Sequence, residues 1–250
     1  MTTQLKFFFF LLIFISCNQN PTVFTGKEYV TKGRDTSSLI QANRFEEEKF
    51  LSQEFVYDTV YRFYKQLNLE VDVILPRLKK SSWKYNIEAA ALSKKEIKSF
   101  KARVDKMVQD DSAMVKTVPS IFSFIPVSAY KDNKIVSCCF SVQKYCGGAA
   151  HPLFEYCSIN YDPIGKRLLK FENYFSLKSK KDSVLLLNKI NTSIKEAGIE
   201  LTKLNALDFN VEEKQVSFNF DAYELGYGDM PLRVVVNKTE LSTLIKDHLR

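Results

Sequence analysis

The chain has 250 residues, 45% of them hydrophobic, with 36 Lys and Arg against 29 Asp and Glu and a formal net charge of +7. That composition supports a buried core and excludes a disordered tail, a collagen, a disulfide-dense toxin and a polytopic membrane protein. The positive excess is spread along the chain and forms no basic stripe of the kind nucleic-acid binding needs, so no nucleic-acid partner is expected.

Residues 1–17 read as an export signal. Lys6 precedes Phe7 to Ile15 (FFFFLLIFI), an unbroken apolar run of nine residues. A membrane span needs about 20 apolar residues, so this run fits a secretory leader and not a permanent helix. Phe14-Ile15-Ser16-Cys17 resembles the lipobox of bacterial lipoproteins, with Phe14 where Leu is usual. The resemblance implies cleavage before Cys17, acylation of its thiol and anchorage to a lipid membrane, because two or three chains hold far better than one. Polar Asn18-Gln19-Asn20 follows at once; since Asn18 is not the Asp that retains many lipoproteins in an inner membrane, the outer membrane facing the periplasm is expected. Only Lys6 is lost with the leader, leaving +6. Residues 18–48 read as a tether, and some twenty flexible residues span about 25 Å.

The remainder divides into a strand-helix part, 49–118, and an α+β part, 119–250. Leu67, Leu69, Val71, Val73 and Leu75 alternate with polar residues, which predicts a strand ended by Pro76 and paired in a hairpin with Glu54 to Tyr64. The period then becomes helical, with a stripe of Trp83, Ile87, Ala90 or Ala91, Ile97, Phe100, Val104 and Met107. Ser93 with Glu96 three residues on is a capping-box pattern, so this stretch is either two helices or one long one. Strands are predicted over Ile121 to Tyr130, Ile135 to Tyr145 and Leu153 to Tyr161. The first two are joined through Lys131-Asp132-Asn133-Lys134, and the third is closed by the type I turn Asp162-Pro163-Ile164-Gly165. Val136, Cys138, Phe140 and Val142 share one strand face. Ser179 caps a helix with Asp182 at its third position and Leu187, Ile190, Ile194 and Ala197 as its stripe. Strands at Val216 to Phe220 and Leu232 to Val236 follow, and a last helix opens at Asn237 with Glu240. Strand meanders with helices segregated between them predict an α+β fold with a mostly antiparallel sheet in two closely packed subdomains.

Three groups of residues carry a further resemblance. Gly147-Gly148-Ala149-Ala150-His151-Pro152, then Asn160-Tyr161-Asp162 with Gly165-Lys166, then Phe218-Asn219-Phe220 before Tyr223-Glu224-Leu225-Gly226 resemble, in order and spacing, a bacterial envelope family of unknown function. The family is found in the extracytoplasmic part of the lysozyme-sensing anti-sigma factor RsiV and the N-terminal part of the peptidoglycan deacetylase PdaC. Here its Gly-Gly-Ala-His-Pro pattern has one extra Ala, and Tyr227-Gly228-Asp229 replaces a Pro-Tyr-Ala type sequence. The resemblance spans about residues 50 to 250, without a sigma-binding segment or a deacetylase domain.

Chemistry-bearing residues are few. The chain has two His; His248 is expected on the surface of the last helix, and His151 in a turn after two glycines. A hairpin pivoting near Gly148 would set Cys139 opposite Cys157 as a candidate disulfide, with free buried thiols as the other reading. Cys146, His151 and Cys157 lack the tight Cys pairs of structural zinc sites, so no metal is expected. Gly226-Tyr227-Gly228-Asp229 lacks the strand-to-helix context of a dinucleotide loop, so no cofactor is expected. Lys166, Arg167, Lys170, Lys178, Lys180 and Lys181 form a basic tract that reads as a solvated edge, with contact to acidic lipid as the alternative. No nucleophile sits in an elbow motif, and no catalytic residue is assigned.

These readings converge on a non-enzymatic, lipid-anchored binding module of the cell envelope that takes a lysozyme-like protein or peptidoglycan. Its expected contacts are Gly147, Gly148, His151, Tyr223, Tyr227 and Asp229. The alternatives are an envelope hydrolase or deacetylase using His151, and a structural or assembly lipoprotein.

Overall fold

The computed structural model describes residues 54–79, 83–110, 117–195, 199–204, 207–222 and 231–250. Cys17 with its leader, the tether, and the loop carrying Tyr223, Tyr227 and Asp229 lie outside the described residues. Among the described residues, nine strands and three helices form an α+β fold, mostly antiparallel as predicted, and the strands are shared between two sheets.

The first sheet has six strands in sequence order. β1 (Phe55–Tyr64) and β2 (Leu69–Leu78) form the predicted antiparallel hairpin, turned by a 3-10 segment, Lys65–Leu67, and by Asn68 at φ 45°. Asn is among the few residues that accept that conformation at low cost. Pro76 does not end β2; it pairs with Tyr57 inside the strand. β2 meets β3 only over Leu69 to Val73, so at Pro76 one flank of the strand is an edge, where a missing N–H is tolerated.

Helix α1 (Trp83–Asp110) carries the chain across to β3 (Ser120–Lys131), which lies parallel to β2. It is one continuous helix. Ser93 is buried and its hydroxyl donates back to Ala90 O at 3.0 Å, while Glu96 is drawn away to Lys144, so the capping-box pattern is not used as a cap. The buried stripe runs through Tyr85, Ala89, Phe100 and Val104, and Ile87 of the predicted stripe is 54% exposed. Because β2 and β3 pair directly, the parts 49–118 and 119–250 share one sheet. β4 (Val136–Tyr145), β5 (Leu153–Asp162) and the short β6 (Arg167–Leu168) complete it. Under α1, the rings of Phe124 and Phe140 stack 4.2 Å apart and Phe122 packs on Phe100. Burying each such ring contributes roughly 1.5–3 kcal/mol.

Two of the turns in this sheet, β3 to β4 and β5 to β6, use an aspartate. Asp132 Oδ1 accepts from the amides of Lys134 and Ile135, and Asp162 Oδ1 from those of Ile164 and Gly165, each at 2.7–2.9 Å. After α2 (Phe171–Tyr174) comes α3 (Lys180–Ile194), with the predicted reciprocal bonds between Ser179 and Asp182. The second sheet holds β7 (Asp208–Val211), β8 (Gln215–Phe220) and β9 (Leu232–Asn237). α3 and the apolar face of this sheet share a second core around Leu186, Ile190, Phe209, Phe218 and Val234.

The last helix predicted from Asn237 does not form. Residues 238–245 turn through i to i+3 bonds such as Leu241 N to Lys238 O and Leu244 N to Leu241 O. Bonds from Ser176 N to Leu244 O and from Lys246 N to Tyr174 O hold this segment against α2, so tertiary pairing takes the backbone groups a helix would need. His248 is exposed in the closing 3-10 turn.

Candidate functional site

Four segments meet at one end of the six-stranded sheet: the turn after β1, the start of β3, the end of β4 and the start of β5. Ser120 joins them, since its amide donates to Asn68 O at 2.8 Å and its Oγ accepts from Gly147 N at 2.9 Å. A β-carbon on Gly147 would collide with the Val118 carbonyl oxygen, so only glycine lets the β4–β5 connection lie this close. Gly148 has φ 88°, and Ala149 N closes the turn onto Cys146 O at 2.9 Å. His151 stands exposed beyond the turn, its Nδ1 3.2 Å from the carbonyl of its own neighbour Pro152. The structure thus gathers Gly147, Gly148 and His151 into one hairpin, where the glycines shape the turn and His151 alone offers a side chain.

Beside this hairpin lies a sheet face that the sequence reading did not single out. Directly paired residues project to the same side of a sheet. The registers therefore align Tyr61, Asp72, Ser123, Gln143 and Phe154 in one row across five strands. Phe63, Glu70, Ile121 and Tyr145 form the row nearer the hairpin, and Ser141 with Tyr156 belongs to the row beyond. All eleven side chains are half-buried, neither packed under α1 nor fully in solvent. Burial raises the Glu70 carboxyl above its ordinary value, against a hydrogen bond from the Tyr61 side chain. Aromatic residues at alternate positions of strands whose other face is already apolar were the available signal.

The far half of the same face is covered by the second sheet through polar contacts. The open edge of β7 is hydrogen-bonded by side chains: Asn160 Nδ2 donates to Phe209 O at 2.6 Å and Ser137 Oγ accepts from Val211 N at 2.7 Å. Asn219 Nδ2 donates to Ser158 Oγ at 2.8 Å, Asn210 Nδ2 to Ser128 Oγ at 2.9 Å, and Arg233 pairs with buried Glu212. Burial lifts the Asp208 carboxyl to about 7 in spite of hydrogen bonds from Ser158 and Asn219. At the border with the open half, Tyr156 N donates to Asp221 Oδ1 at 3.1 Å. Tyr223, Tyr227 and Asp229 follow Asp221 in the chain and lie outside the described residues.

This geometry corrects the disulfide expectation. Cys139 faces Ser158, and Cys157 faces Phe140. The hairpin is one residue out of the register that would pair Cys139 with Cys157, and a slip of one residue sends a side chain to the other face. Cys138, Cys139, Cys146 and Cys157 are free thiols. Burial pushes the Cys157 thiol up to about 12 and Cys139 higher, which leaves both unreactive as nucleophiles at neutral pH. Among the described residues, no three His, Cys, Asp or Glu side chains gather to hold a metal ion. No described helix is long and apolar enough to cross a membrane.

No family model matches this chain, and no curated protein does. Among solved structures it is similar in fold to a DUF3298 family protein from Pseudomonas aeruginosa PAO1, at a TM-score of 0.54 and 11% identity over 78% of this chain and 94% of that one. It is similar also to a DUF3298 family member from Bacteroides fragilis NCTC 9343, at a TM-score of 0.53 and 13% identity over 78% and 94%. At these identities the likeness establishes the fold alone, that of a domain family of unknown function.

The residues that carried the resemblance in sequence have structural work in this fold. Asn160 bonds the edge of β7, Asn219 bridges the sheets, Tyr161 packs on Tyr85, and Asp162 with Gly165 closes a turn.

Proposed function

We propose that this chain is a non-enzymatic binding module of the bacterial cell envelope, exported, anchored by acyl chains on Cys17, and directed at peptidoglycan or a lysozyme-like cell-wall protein. The RsiV and PdaC resemblance motivates the ligand class. The single observation behind the reading is the half-buried face on which Tyr61, Phe63, Tyr145, Phe154 and Tyr156 stand in register with Glu70 and Asp72. Aromatic rings on a rigid sheet present large contact area at low entropic cost, and interspersed carboxylates and amides add directional hydrogen bonds. Sugar rings and protein surfaces are both recognised in this way. The His151 hairpin would border that surface.

The test is retention of the mature chain by purified peptidoglycan sacculi and, separately, by immobilised lysozyme at micromolar protein. Binding to one of them, weakened roughly tenfold or more by Tyr61→Ala or Phe154→Ala, is the expected result. Retention by neither overturns the proposal.

A further inference from the structure

On the α1 side of the same sheet end, a trough of about 620 Å³ runs between the turn after β1 and the middle of α1. Tyr64, Lys65 and Gln66 form one wall, and Lys98, Lys101 and Asp105 the other. Its size lies within the roughly 300–1,000 Å³ of small-molecule sites. Lys101 Nζ is held 5.3 Å from the centroid of the Tyr64 ring. On α1, Lys94, Lys98 and Lys101 follow one another at i, i+4 and i+7, so like charges repel along one helix face.

The basic group of Lys144, which also reaches α1, is neutralised by the carboxylates of Glu96 and Glu155. No described carboxylate forms an ion pair with Lys65, Lys98 or Lys101, and the carboxylate in the trough, Asp105, already accepts from Gln109 Nε2 at 3.4 Å. Three lysines, a glutamine and an aromatic ring therefore line a recess with one acid in it.

We propose that this trough binds an acidic sugar: a sugar residue bearing a carboxylate or phosphate, presented by a soluble polymer. The ammonium groups would take the anion, and Gln66 and Asp105 the hydroxyls. A recess fits a single protruding sugar more closely than it fits the plane of a membrane surface. The site is separate from the aromatic face, so it stands or fails apart from the pull-down described above.

The experiment follows the backbone amide signals of Lys65, Gln66 and Leu67 by NMR while glucuronate, glucose 6-phosphate, neutral glucose or inorganic phosphate is added. Saturable shifts with the two acidic sugars, absent with glucose and weaker with phosphate alone, are expected at millimolar ligand, and added salt reduces them. Lys98→Ala and Lys101→Ala each weaken binding roughly two- to five-fold, as exposed charge contacts do, without changing the melting temperature. No saturation with either acidic sugar overturns the site, as does unchanged affinity in the double variant. Shifts produced by phosphatidylglycerol vesicles but by no soluble sugar overturn it too, because they assign the lysines to a membrane surface.

Discussion

Asn160 on β5 donates its side-chain amide to the carbonyl of Phe209 on β7 at 2.6 Å, which places a side chain where a further strand would otherwise pair. Ser137 completes the arrangement by accepting from Val211 N and donating to Asn160 Oδ1, both at 2.7 Å. An unpaired strand edge invites pairing with other chains, and here the first sheet satisfies it with two side chains. Asn160→Ala strands a buried carbonyl and should cost about 1–3 kcal/mol. Ser137→Ala should add less than its own single effect, because both residues serve one network. Urea denaturation of the two single variants and the double variant measures this; strict additivity would show the two contacts to be independent.

Gly147 and Gly148 should respond to Ala for different reasons. At Gly147 the added methyl meets the Val118 carbonyl oxygen and must push the hairpin off Ser120. At Gly148 it meets φ 88°, a left-handed conformation that costs a residue with a β-carbon roughly 1–2 kcal/mol. Thermal melting should fall for both, and the amide signal of Ser120 should move much more for Gly147→Ala.

The buried Asp208 makes stability depend on pH. Its carboxyl sits at about 7 when folded, above its ordinary value of 3.8, so the folded state binds more protons. Its contribution is fully present below the unfolded value, declines between the two values, and is lost once pH passes the folded one. The span between them corresponds to at most about 4 kcal/mol. Repulsion from Asp221 adds to the rise, and hydrogen bonds from Ser158 and Asn219 oppose it. Asp208→Asn should flatten the fall in urea midpoint between about pH 4 and pH 7 that follows from this linkage. A wild-type slope that survives the substitution would assign it to another group.

The thiols offer a chemical check on register. With Cys139 facing Ser158 and Cys157 facing Phe140, alkylation in denaturant without reductant should label Cys138, Cys139, Cys146 and Cys157 alike. Labelling of the native chain should be slow, since Cys138, Cys139 and Cys146 are buried. A peptide bearing an unlabelled 139–157 bridge would show that the hairpin pairs one residue away from the register described.

Much of the fold was legible because local signals agreed with tertiary ones. Ser179 and Asp182 cap α3 as their spacing predicts, the two aspartate turns close where expected, and Cys138 shares its buried face with Phe140 and Val142. Failures came where long-range partners competed for the same groups. Glu96 forms an ion pair with Lys144 in place of a cap at Ser93, and the segment after Asn237 bonds to residues 174–176 instead of coiling into a helix. β6 and β7, of two and four residues, are too short to show a period.

The candidate site divides in the same manner. From the sequence came the glycine turn, the exposed His151 and an expected ligand loop. The aromatic face escaped notice because its members sit on β1, β4 and β5, and only the register of five strands brings them into rows.

The alternation that makes strands, the caps that start α3, the turns and an α+β composition are all written locally in the chain, because each depends on residues within a few positions of one another. Two sheets, the parallel run of β2 beside β3, cysteines that stay apart and five aromatic rings on one surface emerge in the folded molecule alone. Those outcomes depend on which distant backbone and side-chain groups satisfy one another, and a chain read residue by residue does not specify its partners.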